Sequence, residues 1–164
     1  MIWFTALSAR LSRWAMYIAC LCLVGLLGVV VYGVVLRYVF NNAPPYVEQV
    51  ALLLVIAVAM FGAAAGVRDA GHIGLDSLVA ILSPRMRFWC GIVVCLLGMV
   101  FGAALLLGSA EMSISTHDAT IPTLGISEAY RYLPVFIGGL LIVVFSLEHL
   151  IAQSQGTEVI RSWH

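Results

Sequence analysis

The amino-acid sequence predicts an all-α membrane protein with four transmembrane helices, and its composition and charge pattern carry that prediction. Hydrophobic residues make up 63% of the 164 residues, charged residues make up 10%, and the formal net charge is zero. A typical soluble domain is about half apolar and about one quarter charged. Every Arg, Asp and Glu avoids four long stretches, and these are continuously apolar, whereas barrel strands would alternate in polarity. A soluble domain, a disordered chain and a nucleic-acid binder with a basic surface are therefore excluded.

The charge-free stretches give the predicted spans. A helix needs about 20 apolar residues to cross a hydrocarbon core about 30 Å thick, and the first three stretches are long enough. The fourth stretch, 132–147, is short. We extend it because Glu128, Arg131 and Glu148 can reach the headgroups with their long side chains, and Pro134 then produces a mild bend in the second turn. The spans of this single domain, residues 1–164, are predicted at about 14–36, 49–67, 88–110 and 127–151.

The arginines predict the orientation, since the chain contains no Lys. With four crossings, the N-terminal segment, the second loop and the C-terminal tail lie on one side and hold six of the eight arginines. The first and third loops hold the other two. By the positive-inside rule, both termini are cytoplasmic.

Two segments outside the spans carry apolar residues at helical spacing. Such segments form short amphipathic helices that lie in the membrane surface and contact lipid headgroups. We therefore predict two interfacial helices. Their apolar positions are Trp3, Leu7, Leu11 and Trp14 in the N-terminal segment, and Leu75, Leu78, Val79 and Leu82 in the second loop.

Paired glycines mark predicted helix-packing faces. Gly62 and Gly66 form a GxxxG pattern in the second span, and Gly98 and Gly102 form another in the third. Glycine lets helix backbones approach closely in lipid, where packing drives association. Gly is also simply frequent in membrane helices, and the pattern does not say whether the partner helix is internal or belongs to another subunit.

The sequence predicts no catalytic, cofactor or metal site and no enzyme. No ionisable residue lies in the middle of a span, where transporters that work alone usually carry one. There is no P-loop, no HExxH and no supported Ser/His/Asp grouping. The four cysteines lie inside spans, and the members of each neighbouring pair point in different directions on the helix. A disulfide or a metal site is therefore not expected, and we interpret the cysteines as ordinary apolar side chains. They are Cys20, Cys22, Cys90 and Cys95.

Charges at the span ends are the candidate contact residues. Arg37 closes the first span and Glu48 opens the second, so they can pair with each other or with a partner subunit. Arg68, His72 and Asp76 recur every four residues and share a face if that stretch is helical. These are either plain boundary charges or groups that fix the register of a docked subunit.

The histidines supply an alternative function. Paired His ligands in a helical bundle can hold a haem, and His72 and His149 lie on the same predicted side of the membrane. Both lie outside the apolar core, which favours interfacial hydrogen bonding. The alternative is a haem-binding membrane anchor subunit of a respiratory enzyme; a self-assembling channel or exporter is disfavoured by the charge-free spans.

The stretch 37–78 carries a family resemblance. It reads RYVFNNAPPYVEQVALLLVIAVAMFGAAAGVRDAGHIGLDSL, and it resembles the small, Q-type (DctQ-like) membrane subunit of tripartite ATP-independent periplasmic (TRAP) transporters. One departure is Tyr46, which lies where that family commonly has a Trp before the Glu. The matching positions are Arg37, Glu48, the small-residue segment 62–66, Arg68, His72-Ile73, Asp76, Ile121-Pro122 and Tyr132-Leu133-Pro134.

The resemblance implies a subunit of a larger transporter in the bacterial inner membrane. In that family a large membrane subunit carries the organic-acid and sodium sites, and a periplasmic substrate-binding protein delivers the substrate. The small subunit braces the large one and helps to dock the binding protein. No cofactor of its own and no nucleic acid are implied.

Overall fold

The part of the chain that the structure describes folds into four long helices. The computed structural model of the chain describes residues 2–69, 83–121 and 125–155, with the backbone alone at 2–4 and 84. All four helices are long and apolar enough to cross a membrane, which confirms the predicted all-α membrane fold. The helices are α1 (Ile2–Tyr38), α2 (Pro45–Asp69), α3 (Pro84–Ser115) and α4 (Leu133–Ser154), with a 3-10 helix at Glu128–Tyr132 directly before α4.

The helices pack in the order α1–α2–α4–α3. α2 and α4 contact each other at the centre, α1 packs mainly on α2, and α3 packs mainly on α4. Each helix contains an apolar stretch of 18 residues that is long enough to cross the membrane. Within the chain, 39% of the residues of this stretch are buried in α4 and 22% in α2, but only 11% in α3 and 6% in α1. The protein is therefore a layer of helices whose two edge helices expose most of their surface.

The first predicted interfacial helix is not a separate element. α1 runs without interruption for 37 residues from Ile2, about 55 Å at 1.5 Å per residue, so the N-terminal segment continues the axis of the first span. Ser12 Oγ donates a hydrogen bond to Asp69 Oδ2 at 2.5 Å, which ties this segment to the end of α2. The second predicted interfacial helix falls in residues 70–82, outside the described residues.

The buried face of α1 consists of small residues. Ser8, Ser12, Ala15 and Ala19 are each at most 5% exposed. Trp14, by contrast, is 66% exposed and lies on the outer surface with Leu7 and Leu11. Small side chains let α1 approach α2 closely, while large apolar side chains cost nothing when they face lipid.

Two glycines in the middle of α4 face opposite neighbours. A Cβ at Gly138 would lie 2.9 Å from Met60 Cβ of α2, and a Cβ at Gly139 would lie 2.9 Å from the Gly102 carbonyl oxygen of α3. Neither position has room for a side chain. α4 is therefore in close backbone contact with a helix on each side.

The two predicted GxxxG pairs differ in their surroundings. A Cβ at Gly98 would lie 2.6 Å from Ser146 Oγ, and one at Gly102 would lie 3.0 Å from the Gly139 carbonyl oxygen, so both face α4. Among the described residues, no side chain and no other helix lies within 4 Å of a Cβ at Gly62 or Gly66. The third-span pair thus packs inside the chain, whereas a packing role for the second-span pair stays a prediction.

The helices extend beyond the charge-free spans, and three of them begin with proline in the first turn. α2 begins at Pro45, α3 at Pro84, and α4 has Pro134 in its first turn. A proline in the first helical turn loses no hydrogen bond, because the N–H groups there have no partner within the helix. The mild bend expected at Pro134 stays a prediction. The chain enters α4 through the 3-10 helix Glu128–Tyr132.

Candidate functional site at the two ends of the helix layer

A buried ion pair joins α2 to α4 at one end of the layer, here called the Arg68 end. Arg68 Nε lies 3.0 Å from Glu148 Oε2, and Arg68 Nη2 lies 3.2 Å from Glu148 Oε1. Both side chains are 1% exposed. Two parallel N–H donors facing two carboxylate oxygens form the bidentate geometry that makes Arg–carboxylate pairs strong and directional.

Further polar groups extend this pair to α1. Arg68 Nη1 lies 3.1 Å from Asp69 Oδ1, and Asp69 Oδ2 accepts the hydrogen bond from Ser12. Arg68 Nη2 also donates to the Thr5 carbonyl oxygen at 3.4 Å. His149 Nε2 lies 3.0 Å from the Arg68 carbonyl oxygen. The arrangement connects α1, α2 and α4 at a single point, and we call these groups the Arg68 cluster.

The burial of this cluster explains its density of contacts. Removing an ion from water costs several kcal/mol, and attraction inside the protein offsets that cost only when the geometry is good and the remaining donors and acceptors are satisfied. Arg68 meets both conditions through Glu148 and Asp69. Because the cluster needs three helices in place at once, it holds their relative register.

Sequence reasoning missed Glu148 as a site residue. We expected its side chain to reach the headgroups, which is wrong, since it lies inside the layer beside Arg68. Glu148 lies three residues after Phe145 and six after Ile142, both of which are buried in α4, but the sequence does not show that this face of the helix is the buried one. A carboxylate on the buried face of a span needs a basic partner, and Arg68 lies at the same end of the layer.

A second ion pair lies at the opposite end of the layer, here called the Arg37 end. Arg37 Nη2 lies 3.2 Å from Glu48 Oε1, and the two side chains are 57% and 74% exposed. The two residues therefore contact each other, which was one of the two open alternatives. Both also remain accessible to another molecule.

A third polar contact ties α2 to the entry of α4 at the Arg37 end. Arg131 Nη1 lies 3.1 Å from Glu128 Oε1, and Arg131 Nη2 donates to Gln49 Oε1 at 3.0 Å. The preceding loop is held by Ser127 Oγ, which donates to the His117 carbonyl oxygen and accepts from Ala129 N at the start of the 3-10 helix. These bonds fix the position of Ser127 at the start of the 3-10 helix.

The other candidate residues have different surroundings. His72 and Asp76 fall in residues 70–82, so the predicted shared face with Arg68 lies outside the described residues. His149, one of the two histidines considered for haem, uses Nε2 toward the Arg68 carbonyl oxygen. Within the described part of the chain, no group of three or more His, Cys, Asp or Glu side chains could hold a metal ion.

Exposed aromatic side chains mark both ends of the helices. Such residues are typical of the two membrane–water interfaces, where amphipathic rings lie at the headgroup level. The exposed rings are Trp14, Tyr17, Phe88 and Trp89 toward the Arg68 end, and Tyr32, Tyr38, Tyr46 and Tyr130 toward the Arg37 end.

These features define a multi-pass helical membrane protein with charges concentrated at the ends of its helices. The family described as the DctQ component of tripartite ATP-independent periplasmic transporters matches residues 26–156. The chain belongs to this family, and it is a TRAP transporter small subunit.

Two relatives from Haemophilus influenzae (strain ATCC 51907 / DSM 11121 / KW20 / Rd) agree with this assignment. Both are provisionally named as TRAP transporter small permease proteins. One is 27% identical over 150 residues, which covers 88% of this chain and 89% of the relative. The other is 24% identical over 139 residues, covering 84% and 86%. The similarity thus extends over most of each chain.

Proposed function

We propose that this chain is the scaffold subunit of a TRAP secondary transporter for organic acids in the bacterial inner membrane. It braces a large membrane subunit and helps to dock a periplasmic substrate-binding protein. The observation that carries this proposal is the family match over 26–156. Both termini face the cytoplasm in this proposal, so the Arg37 end faces the periplasm.

The exposed surface of the layer supports a bracing role. Among the described helices, α1 and α3 each have one main neighbour, and their outer faces carry large apolar side chains such as Leu21, Val24, Leu97 and Val100. Helices in lipid associate through packing and not through water exclusion. Such faces suit both lipid and the helices of a larger subunit.

The charge distribution favours a supporting role over independent transport. The four spans contain no ionisable side chain near their centres, and charged groups at mid-membrane usually form the substrate and ion pathways of transporters. We therefore place the organic-acid site and the sodium coupling in the large subunit, with no cofactor in this chain.

The contact residues at the two ends are part of the proposal. Arg37 and Glu48 are accessible and can contact a partner at the Arg37 end. At the other end, we propose contacts through His72 and Asp76. Arg68 contributes indirectly, because its buried side chain positions the α2 terminus from which those residues follow.

One glycine pair packs within the chain, and we propose that the other packs on a partner subunit. Gly62 and Gly66 contact no neighbouring helix among the described residues, and we propose that this face of α2 packs on a partner helix. Gly98 and Gly102 hold α3 against α4 within the chain. Only the first pair is therefore proposed as a subunit contact.

Co-expression tests the proposed function. The chain is produced with the large membrane subunit and the substrate-binding protein encoded with it, and the large subunit is expected to co-purify in mild detergent. Proteoliposomes that hold both membrane subunits, supplied with the binding protein and a sodium gradient, should take up an organic acid. Uptake by the small chain alone would contradict the proposal, and so would full uptake by the large subunit without it.

A further inference from the structure

A groove lies between α1 and α2 at the Arg37 end. Its volume is about 280 Å³, and most of its lining is apolar. Val30 and Val34 of α1 line one side, Ala51 of α2 lines the other, and Arg37 and Glu48 stand at its polar end. The groove therefore has an apolar body and a charged mouth.

The groove runs from the edge of the hydrocarbon core, at its charged mouth, toward the membrane interior. Arg37 and Glu48 bound the charge-free stretches of the first and second spans, so they mark the edge of the hydrocarbon core. Val30 lies seven residues before Arg37, about 10 Å along the helix axis. The apolar body consequently faces hydrocarbon and the mouth faces the headgroups, which is the profile of an amphiphile.

Glycine shapes the wall of the groove. A Cβ at Gly33 would lie 2.6 Å from Val47 Cγ1, so the bare backbone lets α1 and α2 converge there. The loop that follows α1 forms the rim with Ala43 and Pro44. Asn41 in that loop has φ 50, in the left-handed region where a short polar side chain is tolerated. The rim is thus built by a tight turn of the backbone.

The charges at the mouth select a headgroup. The Arg37–Glu48 contact joins Nη2 to Oε1, which leaves other guanidinium N–H groups and Glu48 Oε2 available to a ligand. Guanidinium donors match phosphate oxygens, and a carboxylate accepts from ammonium. The pair has no net charge, so an anionic headgroup would be attracted by Arg37 and repelled by Glu48.

We propose that this groove binds one phospholipid whose headgroup carries a primary ammonium group. The phosphate contacts Arg37, the ammonium contacts Glu48, and an acyl chain lies along Val30, Val34 and Ala51. The charge complementarity of the mouth and the apolar body beneath it carry the proposal. It does not depend on the transported substrate or on the orientation of the chain.

Native mass spectrometry of the full chain tests the proposal. The purified protein is offered phosphatidylethanolamine, phosphatidylcholine and phosphatidylglycerol with identical acyl chains. We expect one retained phosphatidylethanolamine, preferred roughly two- to fivefold over each of the others, as the strength of exposed charge pairs implies. Glu48→Gln should abolish the preference over phosphatidylcholine. Glu128→Gln, which alters another ion pair at the same end, should preserve it.

Filling the groove provides a second test. Ala51→Phe should lower the retention of all three lipids, because the added ring occupies the position of the acyl chain. Equal retention of the three lipids by the unmodified chain, or a preference that survives Glu48→Gln, would overturn the proposal. If Ala51→Phe releases a co-purified large subunit and leaves lipid retention unchanged, the groove belongs to a protein partner and the proposal is also overturned.

Discussion

Arg68 and Glu148 carry opposite charges in a place that water does not reach. Each side chain is 1% exposed, and the two are joined by two N–H···O contacts of 3.0 and 3.2 Å. The net benefit of such a pair over apolar residues is small, but leaving one member alone is costly. The Arg68 cluster therefore acts as a specific lock between helices, since other arrangements of α2 and α4 would leave buried charges unpaired.

We expect Arg68→Met to lower the free energy of unfolding by about 3–5 kcal/mol, because Glu148 is left buried without its main partner. Arg37→Met removes an arginine from an exposed pair and should cost about 0–1 kcal/mol. Denaturant titration of the purified chain in mild detergent, followed by circular dichroism, measures both. In addition, Arg68→Met combined with Glu148→Met should recover part of the loss. Equal losses for Arg68→Met and Arg37→Met would contradict an energetic role for the buried pair.

The ion pairs at the ends of the layer were only partly predictable from the sequence. The short loop between their helices made a contact between Arg37 and Glu48 one of two alternatives, beside a contact with a partner subunit. The Arg68–Glu148 pair did not, because its members are 80 positions apart and belong to helices whose packing order was unknown. The charge pattern located both residues near span ends without showing which way their side chains point.

In α1, the large apolar side chains face outward and the small side chains form the buried face. Leu7, Leu11 and Trp14 form the stripe that the sequence suggested for an interfacial helix, and they are exposed. The buried face instead holds Ser12 and Ala15. In water the large apolar residues would be buried, whereas in a membrane small residues lie at helix contacts because they permit close approach.

The two glycine pairs give a matched test of packing. Gly102→Leu should destabilise the chain by about 1–3 kcal/mol, because the added side chain meets Val143 and the Gly139 backbone and must push α3 away from α4. Gly62→Leu places the same side chain in open space and should leave the thermal unfolding temperature of the isolated chain near that of the unmodified protein.

Co-purification with the large subunit is the second measurement for these variants. Gly62→Leu should reduce the amount of large subunit that co-purifies, since the proposed partner helix packs on that face of α2. Comparable destabilisation by both variants would mean that the two pairs do not differ as the structure indicates. Unimpaired co-purification of Gly62→Leu would remove the second-span pair from the proposed subunit contacts.

At the scale of the whole molecule, the layer has two polar ends and a broad apolar surface. The Arg68 cluster connects α1, α2 and α4 at one end, and Gln49, Glu128 and Arg131 connect α2 to the start of α4 at the other. α4 and α2 are thereby fixed at both ends. The edge helices keep their outer faces for lipid or other subunits.

Cysteine labelling tests the proposed orientation of the layer. In a variant that lacks the four native cysteines, Asp118→Cys and Ser83→Cys introduce thiols at exposed positions near opposite ends. A membrane-impermeant maleimide applied to intact spheroplasts should label Asp118→Cys, whereas Ser83→Cys should react only after the membrane is broken. The reverse pattern would place the termini in the periplasm and contradict the arginine distribution.

The charge-free runs of the sequence are enough to specify the four membrane helices and the position of the charges at their ends. They do so because hydrocarbon offers no partner to backbone polar groups, and a long, continuously apolar run satisfies its own N–H and C=O groups when it is helical. The helix packing was needed to establish the order α1–α2–α4–α3, the small-residue contact face of α1 and the pairing of Arg68 with Glu148. Both faces of a span are apolar, so hydrophobicity does not distinguish a face that meets lipid from a face that meets a neighbouring helix. Which face packs on a helix depends instead on close backbone approach and on the pairing of the few buried charges.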